Sequence, residues 1–493
     1  MNKKKSTLYY SYNYPIAMRF HLFILSAIAV LFATATQAYA QEELSFGNAL
    51  EMMREKSRHI EIAQKGVEIA TAQKQRLNST WYPHIGAAGA YMNLSEEVRV
   101  EENIADIAQP LAQAIPQLES IISLLGPSSI SFPLLDKDVA TIDGTIVWPL
   151  FTGGKRIFAN RIGKSLINSA SLQREMTLDL QSVRLVERYY AVKLTAQNID
   201  ANQKAAQANG ALYKNALKLM ENGVINKAQM LVAKMAYEES ELNLQSSIRG
   251  HKTAMNALLS IIGMDTISVS DSCTTLPITL SSPFFICNDM PDAEHFVAMA
   301  LENNHQTKIM EQQILMAKEN KKIAKSGYLP DISLFARQNI WSANIPSNLL
   351  PRRMVGAAFV WNIFDGLDRE NNIRTASLQQ QSLTLAKEEA SSEIAIAVRD
   401  LYSSMEDAKE SLKTIETAIS LASELVKIRE KSFREGMATA QEVVEANALL
   451  AKGRTGAALA CYQYELALVN MIALCGNTGL FASMMALPGN TLR

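Results

Sequence analysis

Only four of the 493 residues are cysteine, far too few for a disulfide scaffold. Cys461 and Cys475 fall on one expected helix, 475 − 461 = 14 residues apart, and cannot bridge within a subunit. Cys273 and Cys287 flank a proline-containing linker; in an oxidising compartment they can either bridge or stay apart. Histidine is scarce too, at six, with no H-E-x-x-H or similar metal spacing. His295 and His305 stand nearly three turns apart, too far for one ion. Thr152-Gly153-Gly154-Lys155-Arg156 lacks the earlier glycine and the Ser/Thr of a phosphate loop; Pro149 and Arg156 hold those places. The methionines are spread through helices as core filler. The expectation is no catalytic residue, no metal, no cofactor and no enzyme.

Charge of one sign is also missing. Segment 1–40 holds four basic and no acidic residues, which leaves 44 basic against 49 acidic, a formal −5. Nucleic acid is therefore not an expected partner. Beyond the N-terminus no stretch reads as apolar enough for a transmembrane helix.

What is present begins with Lys3, Lys4, Lys5 and Arg19, an apolar run from Leu22 to Ala33, and Ala38-Tyr39-Ala40 before Gln41. This is the order of a cleavable export signal, assigned to 1–40, starting at Met1 or at Met18. Gln41 rather than Cys follows the cut, so no lipid anchor is expected there. An exported chain without such a helix can be periplasmic, secreted or an outer-membrane β-barrel.

The mature chain is written twice. Tyr82-Pro83 matches Leu329-Pro330, with prolines 330 − 83 = 247 apart. Trp148-Pro149-Leu150-Phe151 matches Trp361-Asn362-Ile363-Phe364 at an offset of 213; Gly223 with Gly436 and Gly263 with Gly476 keep it. The first copy thus carries 247 − 213 = 34 extra residues, between about Asn93 and Val139. No proline lies between Pro149 and Pro277, or between Pro351 and Pro488. Such gaps permit very long helices. Lys155 to Glu221 is 67 residues, about 100 Å of helix. Between the helices apolar and polar residues alternate. Ile142, Gly144, Ile146 and Trp148 share one face against Thr141, Asp143 and Thr145; Ile332, Leu334 and Ala336 oppose Ser333, Phe335 and Arg337. Val355, Ala357, Phe359, Trp361 and Ile363 form a third apolar face, and Ile85, Ala87, Gly89 and Tyr91 a weaker one. Segments of this kind fit membrane-spanning strands, or a one-sided soluble sheet. Four strands cannot close a barrel, so several chains must share one.

In this order these features resemble the TolC family of outer-membrane efflux proteins. Leu44-Ser45-Phe46-Gly47-Asn48-Ala49-Leu50 looks like the family's opening "LTLEEAL" phrase, and Pro149-Leu150-Phe151-Thr152-Gly153-Gly154 like its "PLFDGG" joint. The resemblance implies a mainly α fold with membrane β: a homotrimer with a 12-stranded barrel, four strands per subunit, continued by a long periplasmic α-helical barrel. The first repeat is assigned to 41–276, with strands near 82–93 and 140–151, an extracellular loop insert at 94–139 and a hairpin tip near 223. The second is assigned to 277–493, with strands near 331–342 and 353–364 and a tip near 436. The insert is a lid, a phage receptor or tolerated length. The tips, Gly223-Val224-Ile225 and Gly436-Met437-Ala438, would dock a periplasmic adaptor coupled to an inner-membrane pump of RND or ABC type. Acidic residues near Glu442 and Glu445 line the family's pore entrance, and their i, i+3 spacing puts both on one helix face. The same two glutamates also suit a solvated surface. Where well-known members close the entrance with an ion pair, this chain has Ala438 and Gln229, so that latch cannot form. The implied function is a passive exit duct for small toxic solutes. A type I protein-secretion duct shares the fold, and a periplasmic coiled-coil scaffold without a pore is the third class.

The unpaired strand edges make assembly testable. Detergent-extracted protein is expected to be trimeric by mass measurement and enriched in outer-membrane fractions. A monomeric, fully water-soluble mature chain would overturn the reading.

Overall fold

The computed structural model describes residues 42–103, 129–264, 278–345 and 351–487. Residues 1–40, expected to be an export signal, Cys273 and the middle of the insert lie outside them. The chain opens with β1 (Glu42–Leu44), α1 (Phe46–Lys56) and α2 (Arg58–Asn78). β2 (His84–Asn93), β3 (Val98–Asn103), β4 (Ser129–Leu135) and β5 (Asp138–Thr152) follow, then α3 (Lys155–Glu221) and α4 (Lys227–Ile261). The second half gives β6 (Ile278–Leu280), α5 (Ala293–Asn303), α6 (His305–Ser326), β7 (Asp331–Ala343) and β8 (Arg353–Val360). It ends with α7 (Asp368–Arg434), α8 (Ala440–Leu474) and α9 (Gly479–Met485).

The internal repeat survives folding residue for residue. α3 and α7 each have 67 residues, α4 and α8 each have 35, and their starts differ by 368 − 155 = 213 and 440 − 227 = 213. Each long helix packs along its own return helix, and α6 lies against both long helices.

β2, β5, β7 and β8 form one antiparallel sheet in that order, with β2 and β8 at its edges. Its outer face carries Ile85, Ile142, Ile146, Trp148, Leu334, Val355 and Phe359, all exposed. The opposite face carries a polar network beside Val147 and Phe335. Arg337 donates to Asp143 at 2.6 Å, and Asn339 donates to Asp143 at 3.0 Å and to Thr141 at 2.9 Å. Water-facing sheets bury their apolar face; this one exposes it, as a lipid-facing strand does.

Three expectations need correction. β8 stops at Val360 rather than near 364, because its partner β7 starts at Asp331, opposite Val360 and just after Pro330, and Gly366 (φ 70°) and Leu367 (φ 70°) then turn the chain into α7. The insert is not all loop: β3 pairs antiparallel with β4, and β5 begins at Asp138. Third, α8 is long and apolar enough by composition to cross a membrane. More than half of its most apolar window is buried inside the protein, so that apolarity serves the core.

The main core forms a waist midway along the long helices. Phe46, Tyr189, Tyr190, Phe285 and Phe481 pack there with Leu468 and Ile472. The Tyr189 hydroxyl donates to the Leu44 carbonyl at 2.8 Å and accepts from the Ser282 N–H at 3.1 Å. The two halves are thus sewn together through β1 and the linker. Glu465 sits fully buried in this waist, accepting the Phe285 N–H at 2.9 Å. Its other oxygen has no partner among the described residues. Burial pushes its carboxyl well above the usual range, opposed by the Phe285 hydrogen bond and the Lys193 charge. A carboxyl raised on folding favours the native state most where the unfolded form is also protonated. That contribution falls as pH rises from about 4.3 through the raised native value. Glu465→Gln stays neutral, so its thermal melts should show a weaker decline between about pH 5 and pH 8 than wild type. An unchanged decline would show that Glu465 is not its source.

Candidate functional site

Both hairpin tips are built by the same backbone chemistry. At the end of α3, Gly223 (φ 73°) donates to the Met220 carbonyl at 3.0 Å and Val224 to Leu219 at 2.8 Å. At the end of α7, Gly436 (φ 74°) donates to Phe433 at 3.0 Å and Met437 to Ser432 at 2.8 Å. This crossed pair of bonds is the glycine-dependent stop that closes a helix through a left-handed residue. The restarts are capped as well. Asn226 accepts the Gln229 N–H at 3.0 Å. Thr439 accepts the Glu442 N–H at 3.3 Å while Glu442 accepts the Thr439 N–H at 2.9 Å, a reciprocal capping box.

A second small core holds the two tips against each other: Leu212, Ala216, Ala233, Phe433, Ala440 and Val443, with Ala438 buried among them. Ile225 packs on its edge. Val224 and Met437, which occupy equivalent repeat positions, stay exposed at 54% and 72%. The tip therefore presents a closed, apolar-capped end. Of the entrance candidates, Glu445 is exposed and accepts from the Gln441 amide at 2.9 Å. Glu442 is half-buried and lies 3.2 Å from Arg429. The Gln229 side-chain oxygen is buried with no partner among the described residues. Glu442 and Glu445 thus come together on one helix, while Ala438 turns into the core. Arg429 escaped the sequence reading because its repeat mate, at 429 − 213 = 216, is an alanine.

At the other end of the long helices a second doubled device was missed. The Trp148 indole donates to the Trp81 carbonyl at 3.1 Å, and Trp361 donates to Tyr328 at 3.1 Å. The Arg156 guanidinium lies 4.2 Å from the Trp81 ring centre and Arg369 4.4 Å from that of Tyr328. Indoles with one apolar and one hydrogen-bonded end, beside arginines, suit a membrane–water boundary. The signal that could have found them is the offset itself, 156 to 369 beside 81 to 328.

Comparison with known proteins agrees with this geometry. Residues 296–477 match the model of a family described as outer membrane efflux protein. That match covers most of the second repeat, which is thus similar in sequence to this family. No curated protein matches the sequence. Among solved structures, the outer membrane protein VceC of Vibrio cholerae matches with a TM-score of 0.65 at 16% identity, over 87% of this chain and 96% of that one. The Campylobacter jejuni CmeC outer membrane channel matches with 0.61 at 13%, over 90% and 89%. The open state of the Neisseria gonorrhoeae MtrE outer membrane channel matches with 0.60 at 13%, over 87% and 88%. At these identities the likeness is one of fold, and it spans both repeats.

The two tip glycines separate experimentally. A β-carbon at Gly223 meets nothing within 4 Å, whereas one at Gly436 sits 3.4 Å from Val224. Gly223→Val should cost about 1–2 kcal/mol for its left-handed backbone. Gly436→Val should cost more, because its methyls also press on Val224. Amide exchange at the tips would rank them, and equal protection loss in both variants would contradict the packing argument.

Proposed function

We propose that this chain is the outer-membrane subunit of a tripartite export system, a homotrimeric exit duct for small toxic solutes. One observation carries this reading. A sheet with an apolar outer face and two open edges continues into helices of 67 residues that end in closed, apolar-capped tips. Three such sheets, joined edge to edge, satisfy the backbone in lipid and surround a polar interior. The tips, about 100 Å away by helix rise, reach toward the inner membrane. There Val224 and Met437 offer an apolar seat for a periplasmic adaptor, which couples to a pump of RND or ABC type. Energy and choice of cargo belong to the pump; the duct contributes a continuous path. Glu442 and Glu445 sit just past the tip and are the entrance candidates.

Two measurements test this. Deleting the gene should lower the resistance of its host to several unrelated toxic compounds, with full rescue by wild type and none by a chain carrying bulky residues at both Gly223 and Gly436. Purified trimers should form long-lived conducting channels in planar bilayers. A deletion that spares resistance but blocks release of a secreted protein would move the duct to type I secretion. Trimers that never conduct would leave a scaffold.

A further inference from the structure

The second hairpin carries an ion pair that the first lacks, and the difference falls on an entrance candidate. Glu442 does not stand free. One carboxylate oxygen lies 3.2 Å from the Arg429 guanidinium across the α7–α8 hairpin, and the other accepts the Thr439 N–H at 2.9 Å. Glu445, nearly a turn further along the same helix, meets the neutral amide of Gln441. In the first hairpin the equivalent positions are 429 − 213 = 216, 442 − 213 = 229 and 445 − 213 = 232. They hold Ala216, Gln229 and Val232, none of them charged. Ala216 is fully buried, and the Gln229 oxygen is buried without the partner that Glu442 has.

We propose that Arg429 is a specificity-determining residue of the duct entrance: it neutralises Glu442, so that Glu445 alone sets the entrance charge. The proposal rests on the entrance reading above. Two opposite charges at this separation act on a passing ion as a dipole. Their field fades faster than that of a lone carboxylate and is largely screened beyond about 8 Å at physiological salt. A three-fold assembly would then present three effective carboxylates rather than six. The pair is also a side-chain tie between the two arms of this hairpin, so removing Arg429 both unmasks Glu442 and loosens the arm that bears it.

The test uses full-length trimers in planar bilayers, with reversal potential read across a potassium chloride gradient and block read with hexaamminecobalt(III). Arg429→Gln should shift the reversal potential toward stronger cation preference and tighten trivalent block. Arg429→Lys should keep the wild-type value, and the double variant Arg429→Gln, Glu442→Gln should return to it. Glu445→Gln should lose most of the cation preference. Arg429→Met, which keeps the aliphatic stem, gives the same reading if glutamine disturbs assembly. A wild-type reversal potential in both Arg429→Gln and Arg429→Met, with Glu445→Gln still losing its preference, overturns the neutralisation and leaves the entrance reading intact. Wild-type potentials in every variant, Glu445→Gln included, sink the entrance reading and this proposal with it.

Discussion

In hydrocarbon a strand has no water to bond, so every backbone N–H and C=O along it needs another strand. The sheet of this chain meets that demand for β5 and β7 and leaves it open along one edge each of β2 and β8. Most of the architecture answers that constraint. On the function proposed above, a subunit that cannot close its own barrel completes it with copies of itself. Copies arranged about an axis place their long helices about the same axis. The outer face of the sheet can then stay apolar, with Ile85 77% and Val355 82% exposed, as the face of a lipid-facing strand would. The polar group of Asp143, Arg337, Asn339 and Thr141 belongs on the opposite face for the same reason.

Much of this was written in residues whose backbone demands have few alternatives. Gly223, Gly263, Gly436 and Gly476 all have positive φ and all end helices, which is why their spacing could be read directly. The proline-free gaps gave the helix lengths, because an interior proline is costly. The alternation of β5 and β7 gave the two faces. Other features stayed hidden because side chains decide them across long separations. Glu465 reads as a surface residue of an ordinary helix; only folding shows it fully buried against the Phe285 N–H. The end of β8 was misread because Trp361, Ile363 and Phe364 continue its apolar alternation after the ladder has stopped. α8 reads as core only once α3 and α7 are packed beside it. Of the entrance candidates, the shared face of Glu442 and Glu445 followed from spacing alone. The burial of Ala438 and the approach of Arg429 could not, since neither repeats in the first half.

The repeat is therefore not kept evenly. Near the membrane both copies hold a tryptophan on a carbonyl and an arginine on an aromatic ring, at matching offsets. At the tips the backbone stops are also doubled. What differs is the charge and hydrogen bonding on either side of the stops: Thr439, Glu442 and Arg429 in one hairpin, Asn226, Gln229 and Ala216 in the other. Pseudo-symmetry is thus retained where a barrel and a helical bundle must be joined in register. It is relaxed at the hairpin ends, where the proposed function places the entrance.

That gradient has a mechanical meaning. A helix of about 100 Å is a long lever, and a small rotation at its root moves its end by many ångströms. The doubled indole and guanidinium contacts fix the root of each long helix to its own strand joint, and the waist fixes its middle through Tyr189, Tyr190 and the buried segment 284–287. Below the waist each long helix keeps its return partner and the small core of Leu212, Phe433 and Val443. That core is far smaller than the waist, and such regions open at lower free energy than the main core. On the function proposed above, opening is easiest at the tips, the end that would meet a partner, while the doubled contacts hold the strand end in register.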